Sequence, residues 1–223
     1  FYEWLGYTWG EHIGEWHNLY VDRQGAQVHR TCIIAPRDHS KSTTLRMVML
    51  HHCLYSEWRD KPFTIWLFSA SKELAANRLE EIRNTGVGAA IRGEHPACIC
   101  MDDVLNEGDI LPETLRNWFR KKITPMLSPG TSLYVVGTPM SMTDLYHTDM
   151  LENPAWKTGI WSALPNWDEH KADEEVKLEC LWPEYRPLNF LMEQKDAMGE
   201  LAFTQEYLCK VIDEEAQVYQ REH

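Results

Sequence analysis

The chain has 223 residues, 43% of them hydrophobic and 25% charged, with a formal net charge of −12. This balance fits a soluble globular protein of one large domain, or one domain with a small appendage. Its acidity excludes a protein that coats nucleic acid with its whole surface, while leaving room for a local basic contact inside a ring or channel. No apolar run approaches the ~20 residues of a membrane helix. There is no signal peptide and no initiator Met, so the true N-terminus is expected upstream. The six cysteines (Cys32, Cys53, Cys98, Cys100, Cys180 and Cys209) lack metal-binding spacing, and several fall in apolar runs where cysteine acts as a small hydrophobe. A reducing, cytosolic compartment follows. The 10 tryptophans read as core and contact residues.

In chain order, an aromatic-rich start predicts a helix over Trp9–Val21, broken by Gly25 before a strand near Val28–Ile34. A helix from Lys41 to about Ser56 follows, with Leu45, Val48, Met49 and Leu54 on its apolar face. Phe63–Ser69 reads as a buried strand and Ser71–Arg83 as a helix capped by Ser71. Ala97–Met101 is a third apolar strand, Pro112–Thr124 a helix, Ser132–Gly137 a fourth strand and Trp156–Ala163 a fifth. Beyond Pro165 the text turns charged and helical through Leu208, interrupted at Pro183 and Pro187. Strands alternating with helices predict an α/β fold with a mostly parallel sheet flanked by helices.

The chemistry concentrates at three strand ends. Cys32-Ile33-Ile34-Ala35 is a strand end that runs into Pro36, Arg37, Asp38, His39, Ser40, Lys41, Ser42 and Thr43. Strand, compact turn and Lys-Ser opening a helix are the layout of a phosphate-binding P-loop, with Ala35 and Ser40 where glycines normally stand. Loop amides and a helix N-terminus cradle phosphates there, Lys41 reaches the terminal phosphates, and Ser42 ligates magnesium. By itself the same text also opens an ordinary exposed helix.

Asp102-Asp103 closes the third apolar strand. At that edge of an α/β sheet a first carboxylate holds the magnesium of a nucleotide and a second activates water, the Walker B arrangement; an isolated acidic pair is otherwise a loop start. One apolar strand, Phe63–Ser69, separates the two motifs in sequence, the organisation of P-loop ATPases that insert a strand between them (ASCE type). Gly137-Thr138-Pro139 ends the fourth strand, where Thr138 senses the γ-phosphate or merely shapes a tight turn. Developing charge on phosphoryl oxygens calls for arginine. Arg37 lies in the loop. Arg92 precedes the third strand, as an arginine finger for a neighbouring subunit or as a surface ion pair.

These motifs in this order resemble the ATPase domain of a tailed-bacteriophage terminase large subunit. The loop from Pro36 to Thr43 is similar to the family's Pro-Arg-Gly-x-x-Lys-Ser form. Phe68–Glu73 resembles its second-strand motif, Ile91-Arg92-Gly93 with Cys98–Asp103 its Arg-Gly and Walker B text, and Val135–Pro139 its coupling motif. Leu181–Glu184 and Gly199 to Tyr207 resemble its lid and linker. The resemblance implies a P-loop core over 1–165 and a lid/linker subdomain over 166–223. It also implies hydrolysis of ATP with Mg2+ to drive packaging of double-stranded DNA into a procapsid. A homomeric ring, usually a pentamer, would act with the portal protein and the small terminase subunit, in the cytoplasm of the infected host and without a membrane. Arg92 would act in trans, and His12 would read adenine, with Tyr7 or Trp16 stacking on the base.

Three departures from the family stand out. Asp103 replaces the usual glutamate. Ala35 and Ser40 replace glycines, so the loop is expected to form without positive φ there. The passage from Asn84 to Gly88 is shorter than the family's. No second carboxylate-bearing sheet follows Cys209, so nuclease activity is not expected of this chain. The competing readings are a superfamily 2 helicase-like ATPase and a nucleotide-binding structural subunit without hydrolysis.

Overall fold

Apolar side chains alternate along the central strands and so cover both faces of one sheet. The computed structural model describes residues 6–20, 28–55, 64–76, 96–105 and 112–211. Among them lie strands β1 (Arg30–Ile34), β2 (Ile65–Ser69), β3 (Cys98–Asp102), β4 (Ser132–Gly137) and β5 (Lys157–Ile160). All pairings are parallel, in the order β2-β3-β4-β1-β5. Every residue of β3 and β4 is buried, as expected for parallel strands covered on both sides.

One face carries Ile33, Cys98, Cys100, Tyr134 and Val136. Against it pack Ile13 and Trp16 of α1 (Glu11–Tyr20) and Leu45, Met49 and Leu50 of α2 (Lys41–Tyr55). The other face carries Cys32, Ile34, Ile99, Met101, Leu133 and Val135, covered by Leu115, Phe119, Ile123, Tyr146 and Met150. A one-residue slip would exchange the two sets, and each large apolar side chain is worth about 1.5–3 kcal/mol when buried. The register is therefore held by many side chains at once.

Two elements differ from the sequence reading. The strand between β1 and β3 in space is β4, whereas β2, which intervenes in sequence, lies at the sheet edge. The strand inserted in space between the two motif strands is thus Ser132–Gly137. The helix expected over Pro112–Thr124 is α3 (Pro112–Trp118), which widens into a π-turn at Phe119–Ile123 and ends in a short 3₁₀ turn at Thr124–Met126. The wider turn lets Phe119 and Ile123 both face the core, and Pro125 lacks the N–H to continue. Ser71 does cap its helix, accepting from the Leu74 N–H at 3.1 Å; the expected extension to Arg83 lies outside the described residues.

After β5 the chain leaves the sheet. Ala163, Leu164, Trp167, Leu191, Phe203, Tyr207 and Leu208 make a separate core among α4 (Trp167–Ala172), α5 (Leu188–Met198) and α6 (Glu200–Glu206). Gly199, at φ 84°, turns the chain between α5 and α6, a left-handed conformation that glycine takes without a Cβ clash. Within this C-terminal helical unit the Ala163 N–H donates to Tyr207 O at 2.8 Å, and the unit is stitched to the sheet side by Arg37 N–H to Glu206 O at 2.9 Å.

Candidate active site

Register brings the three motif ends together. Ile34 pairs with Gly137, and Asp102 with Val136, so the residues following β1, β3 and β4 emerge side by side at the carboxyl edge. The Ala35 N–H donates to Gly137 O at 3.1 Å and the Asp103 N–H to Val136 O at 3.0 Å, extending the ladder into the site. Gly137 is required by Tyr146: a Cβ there would lie 2.2 Å from the Tyr146 hydroxyl oxygen.

The loop from Pro36 to Ser40 leads into α2 at Lys41, and Thr44 N–H to Ser40 O at 2.8 Å closes its first turn. The expectation of a loop without positive φ fails at Ser40, which sits at φ 67°, with Asp38 at 62°. Ser40 thus adopts the left-handed geometry that glycine usually supplies, at an intrinsic cost of roughly 1–2 kcal/mol. Ala35 does not.

Lys41, only 7% exposed, bridges the other two motifs. Its Nζ donates to Thr138 Oγ1 at 2.5 Å and pairs with Asp103 Oδ2 at 3.3 Å. Ser42 Oγ donates to Asp102 Oδ1 at 2.7 Å. Asp102 and Thr138 are buried, whereas 43% of the Asp103 side chain remains open. Asp103 nevertheless stands above the ordinary carboxylate pKa: surrounding protein strips water from the carboxyl and Asp102 repels its charge. Lys41 and the Thr138 N–H oppose that rise. Its φ of 45° turns it away from the strand direction. A hydroxyl and a carboxylate in mutual contact are hard oxygen donors, which suits magnesium. A lysine beside a loop entering a helix suits phosphates.

Other expected residues go elsewhere. Arg37 was expected to face the phosphoryl group, but its side chain is 60% exposed and meets Glu206 Oε2 of α6 at 3.5 Å. It is a contact between loop and C-terminal unit, because loop geometry turns it outward. Thr43 Oγ1 accepts from Arg46 Nη2 of its own helix at 2.9 Å. His12 was expected to read adenine; it is 1% exposed, and its Nε2 meets the His39 carbonyl at 3.3 Å. Trp16, expected as a stacking partner, is fully buried. Tyr7 is half-buried beneath the Arg46 guanidinium, 5.9 Å from its ring centre. Arg92 lies outside the described residues.

Arg186 was missed. It stacks over Tyr185 and Phe190 at 4.3 and 4.9 Å and brings Nη2 within 3.8 Å of Asp38 Oδ2. No local signal marks it, since its target lies far back in the sequence.

No protein-family model and no curated protein matches the chain. Solved structures do. The large terminase ATPase domain of Thermus phage P74-26 superposes with a TM-score of 0.59 at 14% identity, over 95% of this chain and 97% of that one. The large terminase of bacteriophage HK97 gives 0.58 at 12% identity, over 92% of this chain and 51% of that one. The large terminase of a thermophilic bacteriophage, in complex with ADP, gives 0.57 at 6% identity, over 90% and 52%. The chain thus spans about half of those two longer proteins. At these identities the likeness is one of fold: this chain has the P-loop fold of phage large-terminase ATPase domains, a five-stranded parallel sheet flanked by helices.

Proposed function

We propose that this chain is an ATPase and serves as the motor domain of a DNA-packaging large terminase. The observation that carries the enzymatic reading is the junction at the sheet edge, where Lys41 touches both Thr138 and Asp103 while Ser42 touches Asp102. Three separate strand ends supply the parts of one phosphoryl-transfer site. The motor reading draws on the fold shared with terminase ATPase domains over nearly the whole chain.

In this reading the loop amides and Lys41 bind the triphosphate. Ser42 and Asp102 would hold magnesium, which supplies charge neutralisation across the phosphate oxygens. Asp103, partly open beside Lys41 at the strand edge, takes a proton from the attacking water. Thr138, hydrogen-bonded to Lys41, links the state of the phosphate cradle to β4 and the segment beyond it. Arg92, contributed by a neighbouring subunit of the ring, stabilises charge in the transition state. Double-stranded DNA, the portal protein and the small terminase subunit are the partners that this reading entails, in the cytoplasm of an infected cell. Among the described residues no helix is long and apolar enough to cross a membrane.

The test measures nucleotide binding and hydrolysis separately. Lys41→Ala is expected to lose both, and Asp103→Asn to keep binding while hydrolysis falls by roughly 10²-fold or more. Hydrolysis retained by both variants would sink the assignment. Tight binding without turnover by the wild-type chain, at concentrations where subunits associate, would make it a nucleotide-binding structural subunit instead.

A further inference from the structure

Ser40 and Asp38 place left-handed residues on both sides of His39. Neither is glycine, so the loop requires bracing from outside its own backbone. Two imidazoles provide it. A carbonyl oxygen can only accept, so the ring nitrogen that meets one carries the proton. His39 therefore donates from Nδ1 to the Arg37 carbonyl at 2.7 Å, closing the loop on itself. His12 donates from Nε2 to the His39 carbonyl at 3.3 Å, tying the same turn to α1.

Both rings are buried, and the surroundings hold His12 in place. Trp16 and Trp182 meet its ring edge-on, with centroids 4.8 and 5.1 Å away. Gly10 leaves them room, since a Cβ there would lie 2.5 Å from His12 Cε1 and 3.0 Å from Trp182 Nε1. Trp182 belongs to the segment between α4 and α5, so His12 joins three parts of the molecule: α1, the loop and the C-terminal helical unit.

We propose that His12 and His39 are positioning residues that hold the phosphate loop in the left-handed turn for which other P-loops use glycine. His12 acts through the His39 carbonyl and not on the base. Through Trp182, the placement of the C-terminal unit bears on the loop that grips the phosphates. The inference rests on the reading of this loop as a triphosphate cradle.

The experiment measures Kd for Mg-ATP and Mg-GTP and steady-state hydrolysis, using the whole chain. His12→Leu removes the donor, whereas His12→Gln keeps an amide N–H near the Nε2 position. His12→Leu is expected to weaken ATP and GTP by the same factor, roughly fivefold for one lost buried hydrogen bond, with a larger change in KM than in kcat. His12→Gln should stay within about twofold of wild type on the same scale. His39→Leu and His39→Asn should repeat that pattern, since the Asn amide takes the place of Nδ1–H.

Ser40→Gly supplies the decisive arm. Added to His12→Leu, it should restore binding, because glycine needs no brace to hold positive φ. Loss of ATP binding with GTP unchanged would make His12 a base reader and overturn the proposal. So would unchanged binding in His12→Leu, or a folded His12→Leu that Ser40→Gly fails to rescue. If His12→Leu does not fold, His12→Asn replaces it, its shorter amide falling short of the carbonyl, with the same loss and the same rescue expected. A wild-type chain that binds neither nucleotide overturns the triphosphate reading itself, an outcome distinct from binding that is insensitive to the histidines.

Discussion

Ser42 and Asp102 stand 60 residues apart in sequence and 2.7 Å apart in space, the hydroxyl of one donating to the carboxylate of the other. Parallel register between β1, β4 and β3 makes that meeting possible, and it defines where a divalent cation would be held. Asp102→Asn keeps an acceptor for Ser42 but removes the negative charge. The magnesium concentration giving half-maximal hydrolysis is expected to rise about tenfold or more, the factor for 1.4 kcal/mol of lost cation affinity. A magnesium titration of activity checks this, and an unchanged midpoint would remove Asp102 from the metal site.

Gly137 closes β4 against the ring of Tyr146. An added Cβ would meet the Tyr146 hydroxyl oxygen at 2.2 Å and Cζ at 2.4 Å, both within a fully buried side chain. Gly137→Ala is therefore expected to destabilise the fold by about 1–3 kcal/mol, as overpacked cores do. Urea unfolding followed by circular dichroism measures it, and a variant as stable as wild type would show that Tyr146 moves freely.

Acid should weaken the fold through buried imidazoles. Burial pulls His39 down to about 4 from an ordinary 6.5, and His52 likewise to about 4. The unfolded chain therefore binds more protons than the folded one between those values, so stability rises with pH from about 4 to 6.5 and then levels. Each fully shifted ring accounts for roughly 3 kcal/mol across that window. His147 runs the other way: hydrogen-bonded to Asp144, its pKa is raised, and its contribution fades as pH rises through the folded value. Unfolding free energies measured from pH 4.5 to 7.5 should climb and then plateau. His39→Asn should flatten part of the climb.

Arg92 offers a test of assembly. If it serves a neighbouring subunit, Arg92→Ala loses roughly 10³-fold or more in hydrolysis, the range for an arginine finger. Lys41→Ala is expected to be inactive for a different reason and still carries Arg92. Mixing the two should restore activity that neither shows alone, measured as phosphate release against protein concentration. A silent mixture would place the needed arginine elsewhere.

The sequence by itself determined the parts of the site. Apolar strands, the turn before Lys41, the acidic pair after Met101 and the Gly-Thr-Pro end of β4 are local signals, governed by side-chain period and turn chemistry within a few residues. Observed strands fall within or one residue beyond the expected ones, and Lys41, Ser42, Asp102, Asp103 and Thr138 meet at one edge. Only the tertiary structure decided which strand lies between the motifs, that Arg37 turns to Glu206, that Arg186 approaches Asp38 and that His12 is sealed beneath the loop. Those outcomes depend on partners far away in sequence, chosen by packing and not by local propensity. Ser40 shows the boundary most clearly. Its residue type argued against a left-handed turn, and the hydrogen bonds of two buried histidines around it support one.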